Sequence, residues 1–226
     1  MNRRPASLRD AWQEVITVED YERHMAAAGQ VQANASLLEE LFRDYAPRLG
    51  ARILFAGAGT GQYLDYLPPN LLGRYRTTFA DINPAYLARL AGRISGIEIA
   101  TVLDDVEDSA LAGPFDLAIA ILVLEHTDWR RAVDSLTRQA ARVFTITQVN
   151  PPGGSPNRLQ GSMTALAMVP PTPIDPAALI AAFESRDFRC YRQTERQVAD
   201  GKTMLAMDFL PTESRSRESS SEATER

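Results

Sequence analysis

The sequence predicts an α/β domain built around a doubly wound, mostly parallel seven-stranded sheet. Five short apolar segments alternate with helix signals between residues 51 and 147, a pattern typical of right-handed βαβ units. Two more strand-like segments, 188–198 and 202–210, flank an Asp-Gly pair, which favours a hairpin and an antiparallel final strand. The 226 residues, 45% of them hydrophobic, fit one globular domain.

The first part of the chain is predicted to be helical. Residues 19–32 carry a helical pattern, and a second helix is expected to begin at Ser36, because Glu39 follows at the capping-box spacing. Pro47 is expected to end it. We therefore expect residues 1–35 to form a helical extension or lid over the main domain.

The main domain is expected to span residues 36–211. Short apolar segments predict its five parallel strands at 51–56, 74–80, 97–102, 116–122 and 142–147. Caps predict the intervening helices, with Asn83-Pro84 before one, Thr127 or Asp128 before the next and Asp175-Pro176 before the last. The fifteen residues 212–226 contain one apolar residue, five serines and seven charges, which predicts a disordered tail.

Composition narrows the expected partners. Twenty-four Lys and Arg against 29 Asp and Glu give a net charge of −5, which disfavours nucleic acid as a partner. The single cysteine, Cys190, suits a reducing compartment, and no apolar run is long enough to span a membrane. These features predict a cytoplasmic protein with no metal site and no membrane contact, and they leave a homodimer open.

The glycine-rich segment after the first strand predicts a ligand site. Gly57, Gly59 and Gly61 form a G-x-G-x-G loop that lets the backbone pass close to a ligand and is expected to open a helix. Asp81 follows twenty residues later at the end of the second strand, where a carboxylate can accept hydrogen bonds from ribose hydroxyls. Asp104 and Asp105 end the third strand, and the sequence does not separate their roles. The alternative is that the glycines serve only tight packing.

The loop is one residue shorter than the dinucleotide fingerprint, and the fourth strand runs into Glu125-His126. With these motifs the chain resembles the class I S-adenosylmethionine-dependent methyltransferases over roughly residues 36–210. The resemblance implies a Rossmann-like methyltransferase fold with S-adenosyl-L-methionine as cofactor. It also implies a set of cofactor contacts along the carboxyl edge of the sheet, namely Ala56, Gly57, Ala58, Gly59, Gly61, Asp81, Ile82, Asp105, Val106 and Leu122.

The resemblance assigns parts of the cofactor to parts of this set. The glycine loop would cradle the methionine moiety, Asp81 would hold the ribose and Asp105 would meet the adenine amino group. The chain departs from the family pattern at Phe55, where an acid often stands two positions before the first glycine. A Pro-Gly-Gly turn is also missing before the fifth strand.

His126 is the candidate general base, because an imidazole titrates near neutral pH and follows the fourth strand. The alternative is a structural role as a helix cap or a backbone hydrogen-bond partner. Methyl transfer mainly requires alignment in a site that excludes water, so no universal triad is expected. Substrate contacts are expected from the N-terminal helices, through Tyr21 and His24, and from the long connection after strand five, through Gln148 and Asn150.

The sequence thus predicts a single-domain methyltransferase with a small-molecule acceptor. A binding protein that holds the cofactor without turnover is an alternative, motivated by Phe55. A nicotinamide-dependent oxidoreductase is a third hypothesis, which the short glycine loop disfavours.

Overall fold

The fold was analysed in a computed structural model that describes residues 7–68, 70–150, 171–198 and 201–212. One sheet has the strand order β3-β2-β1-β4-β5-β7-β6. The strands are β1 (Arg52–Ala56), β2 (Arg76–Asp81), β3 (Ile99–Leu103), β4 (Leu117–Ile121), β5 (Val143–Val149), β6 (Phe188–Gln197) and β7 (Thr203–Pro211). Strands β1 to β5 pair in parallel, whereas β7 runs antiparallel to both β5 and β6. The predicted doubly wound, seven-stranded sheet with an antiparallel final strand is confirmed.

Six α-helices flank or precede the sheet within the described residues. They are α1 (Leu8–Asp10), α2 (Val18–Ala27), α3 (Gln30–Tyr45), α4 (Pro84–Ala91), α5 (Trp129–Gln139) and α6 (Pro176–Glu184), and a π-helical turn, Ala11–Val15, follows α1. The predicted caps are confirmed, since Asn83, Asp128 and Asp175 each accept a backbone N–H of the following helix. None of these helices is long and apolar enough to cross a membrane.

The predicted helix start at Ser36 is wrong. The helical conformation is interrupted at Gly29, which has a φ of +66°. Helix α3 begins immediately after it, at Gln30. Ser36 therefore lies inside the helix, and the capping-box spacing to Glu39 is not used as a cap. The buried residues Val31 and Ala35 extend the apolar face of α3 toward its N-terminus, which favours the earlier start.

The helix expected after the glycine loop is a single 3-10 segment, Gln62–Tyr66. Pro68 explains its shortness, because a residue before proline is pushed out of the helical region. Leu67 is indeed extended, with φ −89° and ψ 153°. The expectation that this loop opens an α-helix with a free N-terminus is therefore wrong.

Two apolar clusters cover the two faces of the sheet. One contains Leu38 and Leu41 of α3 together with Phe55, and the other contains Leu136 of α5 and Phe183 of α6. Because β1 to β5 are parallel, their carboxyl ends meet at one edge, where α/β sheets bind ligands. Residues 151–170, most of the long connection after β5, and residues 213–226, most of the predicted tail, lie outside the described residues.

Candidate active site

The glycine loop packs directly against other side chains of the protein. Gly57 has a φ of +66°, and a Cβ there would lie 2.3 Å from Cγ2 of Val123. Gly59 has a φ of +58°, and its Cβ would lie 2.7 Å from the hydroxyl of Tyr21. Both positions therefore require glycine for conformation and for space. These contacts support a packing role for the glycines beside any role in ligand binding.

Asp81 lies at the end of β2 and faces the glycine loop. Its Oδ2 accepts the N–H of Gly59 at 2.8 Å, and its Oδ1 accepts the N–H of Asn83 at 2.9 Å. Burial raises the pKa of this carboxyl, and the backbone hydrogen bonds oppose that shift. Each carboxylate oxygen has two acceptor sites, so Asp81 keeps capacity for the two ribose hydroxyls.

The acids after β3 are both engaged within the protein. Asp105 Oδ1 accepts the N–H of Glu107, and Asp105 Oδ2 lies 2.8 Å from Nη1 of Arg9. Asp104 Oδ1 accepts the N–H of Ala110 at 3.2 Å. The predicted adenine contact at Asp105 is thus covered by an arginine from the N-terminal segment.

The N-terminal segment, residues 7–29, lies across the carboxyl edge of the sheet. Asn83 Nδ2 donates to the carbonyl oxygen of Trp12 at 2.9 Å, and the hydroxyl of Tyr86 donates to that of Ile16 at 2.9 Å. The ring of Tyr21 stacks on Tyr86 with the centroids 5.1 Å apart. The segment is therefore fixed to the residues that follow β2.

Ion pairs hold the same segment to the outer helix. Glu22 of α2 accepts hydrogen bonds from Arg89 and Arg93, and these bonds, opposed by burial, lower its pKa to about 2. Gln62 Nε2 donates to the carbonyl oxygen of Glu22 at 3.1 Å. The arginines beside the glycine loop are thus already paired.

His126 lies in the turn after β4, beneath the N-terminal segment. Its ring contacts Trp12 edge-on, with centroids 4.6 Å apart, and its Nδ1 is buried without a hydrogen-bond partner. Burial and the nearby charge of His24 lower the pKa of His126 to about 4. The imidazole is therefore neutral at physiological pH and is a weak base. His24, a predicted substrate contact, therefore lies near enough to His126 to influence its titration.

Glu125 was not assigned a role from the sequence. It is 2% exposed, its Oε1 accepts the N–H of Gln148 at 2.6 Å, and its Oε2 is buried without a partner. Burial raises its pKa to about 7, although hydrogen bonds from the backbone amides of Gln148 and of Glu125 itself oppose the shift. One signal was available in the sequence, since Glu125 is a lone acid within the apolar segment that ends a buried strand.

Amide side chains cover the end of β5. Gln30 Nε2 donates to Gln148 Oε1 at 3.0 Å, and Gln148 Nε2 donates to Asn150 Oδ1 at 2.8 Å. Asn34, one turn after Gln30 on α3, is fully buried, and neither of its amide atoms has a partner. Gln148 and Asn150 are both predicted substrate contacts, and Gln148 links them to Glu125 through its backbone N–H.

The remaining predicted cofactor residues lie at the same edge of the sheet. Ala56 ends β1, Ala58 N–H donates to Ala80 at 2.9 Å, and Ile82 directly follows β2. Val106 is buried after β3. Leu122, directly after β4, has a φ of +51°, a strained conformation for leucine of the kind found at ligand sites.

Phe55 belongs to the core. It stacks on Phe79 at 4.8 Å and on Tyr63 at 5.8 Å between centroids, and it is 1% exposed. The position at which the resemblance implies an acid is therefore used for packing. Among the residues that the structure describes, no group of three or more His, Cys, Asp and Glu side chains could hold a metal ion.

The arrangement fits an adenosine-type cofactor. Asp81 keeps acceptor capacity beside a loop that only glycines allow, and buried polar atoms of Glu125 and His126 have no partner within the protein. Buried polar atoms are normally satisfied, so such atoms at the carboxyl edge of a sheet point to a ligand.

Comparisons with known proteins agree with this fold. Residues 54–145 match a family described as a methyltransferase domain. Magnesium protoporphyrin IX methyltransferase from Synechocystis PCC 6803, solved with bound S-adenosylhomocysteine, is 15% identical with a TM-score of 0.62 over 80% of this chain and 82% of that one. N-methyltransferase NodS from Bradyrhizobium japonicum WM9, in complex with S-adenosyl-L-homocysteine, is 15% identical with a TM-score of 0.58 over 81% and 88%.

The [4+2]-cyclase SpnF has the same fold, with 14% identity and a TM-score of 0.62 over 80% of this chain and 82% of that one. No curated protein matches the sequence. The family match covers residues 54–145, and the solved structures show that the chain has the fold of these proteins.

Proposed function

We propose that this protein binds S-adenosylmethionine at the carboxyl edge of its sheet and transfers the methyl group to a small-molecule acceptor. The observation that carries the proposal is the pairing of Asp81 with the glycine loop, through the 2.8 Å bond from the Gly59 N–H. When bound, the cofactor supplies a methyl group on a sulfonium, which an acceptor's lone pair can displace. Asp81 would hold the ribose, and residues 57–61 would lie along the methionine moiety.

The N-terminal segment supports a small acceptor. Trp12 and Tyr21 lie over the crevice and pack on His126 and Gly59, so the site is enclosed on that side. Enclosure excludes water and aligns the reactants, which are the main requirements of an in-line displacement. His126, with its pKa lowered to about 4, stays neutral and can accept a hydrogen bond from an acceptor through Nδ1.

A protein that holds the cofactor without methyl transfer is the second candidate. Two observations favour it: Phe55 supplies no acid at the end of β1, and the lowered pKa of His126 makes it a weak base. The fold match to a cyclase also shows that this architecture hosts reactions other than methylation.

Two measurements test the proposal. Calorimetric titration with S-adenosylmethionine and S-adenosylhomocysteine should show binding, with reduced nicotinamide dinucleotide as the negative control. Transfer of a labelled methyl group should then be followed over a panel of small amines, alcohols and carboxylic acids. Binding with transfer supports the proposal, and binding without transfer to any acceptor supports the second candidate. Binding of the nicotinamide nucleotide alone contradicts both.

A further inference from the structure

The turn after β4 contains a buried carboxylate that the expected cofactor contacts do not use. Glu125 is 2% exposed, and its Oε1 accepts the Gln148 N–H at 2.6 Å. Its Oε2 is buried and makes no hydrogen bond. A buried carboxylate oxygen without a partner destabilises the folded protein. A ligand that donates a hydrogen bond to it would remove that cost and bind more tightly.

Nothing in the described part of the chain neutralises this charge. Glu125 forms no ion pair there with an arginine or lysine, and its raised pKa follows mainly from burial. The arginines around the crevice are engaged elsewhere, Arg9 with Asp105 and both Arg89 and Arg93 with Glu22. A positively charged donor would satisfy Oε2 and would also stabilise the ionised form of the carboxyl, which burial disfavours.

Glu125 lies on the β5 side of the crevice, away from Asp81. Its side chain binds the backbone of Gln148 at the end of β5, and its carbonyl oxygen accepts the N–H of Thr172 at 2.7 Å. The neighbouring His126 contacts the ring of Trp12. The face of a tryptophan ring attracts cations. The predicted acceptor contacts Gln148 and Asn150 lie on this same side.

We propose that Glu125 binds an amino group of the acceptor, so that the substrates of this protein are amine-bearing small molecules. This inference rests on the proposed function. An ammonium supplies both the N–H donor that Oε2 lacks and the charge that the buried carboxylate lacks. A hydroxyl would supply only the donor, and a carboxylate or phosphate would be repelled.

The cofactor carries an amino group of its own, which is the other amine in such a site. Phe55 leaves that group without an acid from β1, so Glu125 could serve it instead. The two sources differ in what they predict: an acceptor site leaves S-adenosylhomocysteine affinity unchanged on substitution of Glu125, whereas a cofactor site does not.

The test compares wild type, Glu125→Gln and the control Glu39→Gln, which changes an exposed acid on α3. Each is titrated calorimetrically with 2-phenylethylamine and 2-phenylethanol, and with ethylamine and ethanol, both with and without saturating S-adenosylhomocysteine. Wild type and Glu39→Gln should bind an amine at least about tenfold more tightly than its alcohol, and Glu125→Gln should lose that preference. Affinity for S-adenosylhomocysteine should be equal in all three.

Three results would overturn the inference: equal affinity or no binding for amine and alcohol in wild type, a preference that survives in Glu125→Gln, or a tenfold loss of S-adenosylhomocysteine affinity in that variant. The last would assign Glu125 to the cofactor. Failure of wild type to bind S-adenosylhomocysteine would contradict the proposed function instead, and the titrations without it would still test Glu125. As a readout that needs no variant, carbon-13 titration of Glu125 should show its pKa falling when the amine is added.

Discussion

The two halves of the crevice satisfy their buried carboxylates in different ways. At the β2 side, both oxygens of Asp81 accept backbone N–H groups, from Gly59 and Asn83. At the β5 side, Glu125 has one accepting oxygen and one without a partner, and the adjacent His126 Nδ1 also lacks one. In the first half, both oxygens of the buried carboxylate thus have partners within the protein and keep spare acceptor capacity. In the second half, one oxygen of the buried carboxylate has no such partner.

This difference separates a site made by the fold from a site made for a particular molecule. Backbone amides at consecutive strand ends come with the sheet topology and suit a cofactor common to a whole family. The unpartnered side chains at the turn after β4 are not required by the sheet topology, and we expect them to contribute to the choice of acceptor. The substitutions below test the two halves separately.

The largest effect is expected at Gly57→Ala. The new Cβ would lie 2.3 Å from Val123 in a backbone with positive φ, so crowding and conformational strain together should lower the free energy of unfolding by about 3 kcal/mol. Gly96→Ala is the matched control, because Gly96 also has positive φ but no atom within 4 Å of the added Cβ. It should cost about 1 kcal/mol. Equal losses in urea unfolding would show that crowding at the loop is unimportant.

The pH dependence of stability should expose the second half of the crevice. The Glu125 carboxyl has its pKa raised from 4.5 to about 7, so its contribution is full below pH 4.5 and lost as pH rises through 7. His126 has its pKa lowered from 6.5 to about 4, so its contribution is full above pH 6.5 and lost as pH falls through 4. In the wild type, the two groups therefore change the free energy of unfolding in opposite directions as pH rises.

Single variants should separate the pH dependence contributed by Glu125 from that contributed by His126. The free energy of unfolding of wild type minus that of Glu125→Gln should fall by about 3 kcal/mol between pH 4.5 and 7. The same difference for His126→Gln should rise by about as much between pH 4 and 6.5. Parallel pH profiles of wild type and Glu125→Gln in urea unfolding would show that the carboxylate is not buried.

Asp81→Asn tests the cofactor half. Loss of the carboxylate should weaken S-adenosylhomocysteine binding by roughly tenfold to a hundredfold, because hydrogen bonds to a charged acceptor contribute about 1.5 to 3 kcal/mol. Asp108→Asn, at an exposed acid after β3, is the control and should leave the affinity unchanged. Calorimetry measures both, and unchanged affinity in Asp81→Asn would remove the ribose assignment.

The smallest effect is expected at Tyr86→Phe, which removes the 2.9 Å bond to the carbonyl oxygen of Ile16. A neutral hydrogen bond contributes about 1 kcal/mol, so opening of the N-terminal segment should become roughly fivefold more frequent. Hydrogen exchange of residues 11–28 should be faster, while exchange in β1 and β4 should not change. Equal exchange in wild type and variant would mean that the segment is held by other contacts.

The sequence predicted the half of the crevice that depends on local patterns. The glycine spacing, the acid twenty residues later and the alternation of strands and helices are all readable along the chain. The predicted start of α3 was wrong. The capping-box pattern at Ser36 did not take account of Gly29 or of the buried residues of the helix that precede Ser36. Packing of the apolar face of the helix, rather than the local capping pattern, determined where the helix begins.

The other half depends on contacts between distant segments. Trp12 meets His126, Arg9 meets Asp105 and Gln30 meets Gln148, and no local pattern marks any of these pairs. The partner that Glu125 lacks was equally invisible, because a hydrogen-bond deficit exists only once the surrounding elements are packed.

The most direct test of the central claim is a crystal structure of the protein with S-adenosylhomocysteine. The ribose hydroxyls should lie within hydrogen-bond distance of Asp81, with the homocysteine moiety along residues 57–61 and the space beside Glu125 left for the acceptor. A ligand bound elsewhere, or a ribose that makes no contact with Asp81, would contradict the assignment of this crevice as the cofactor site.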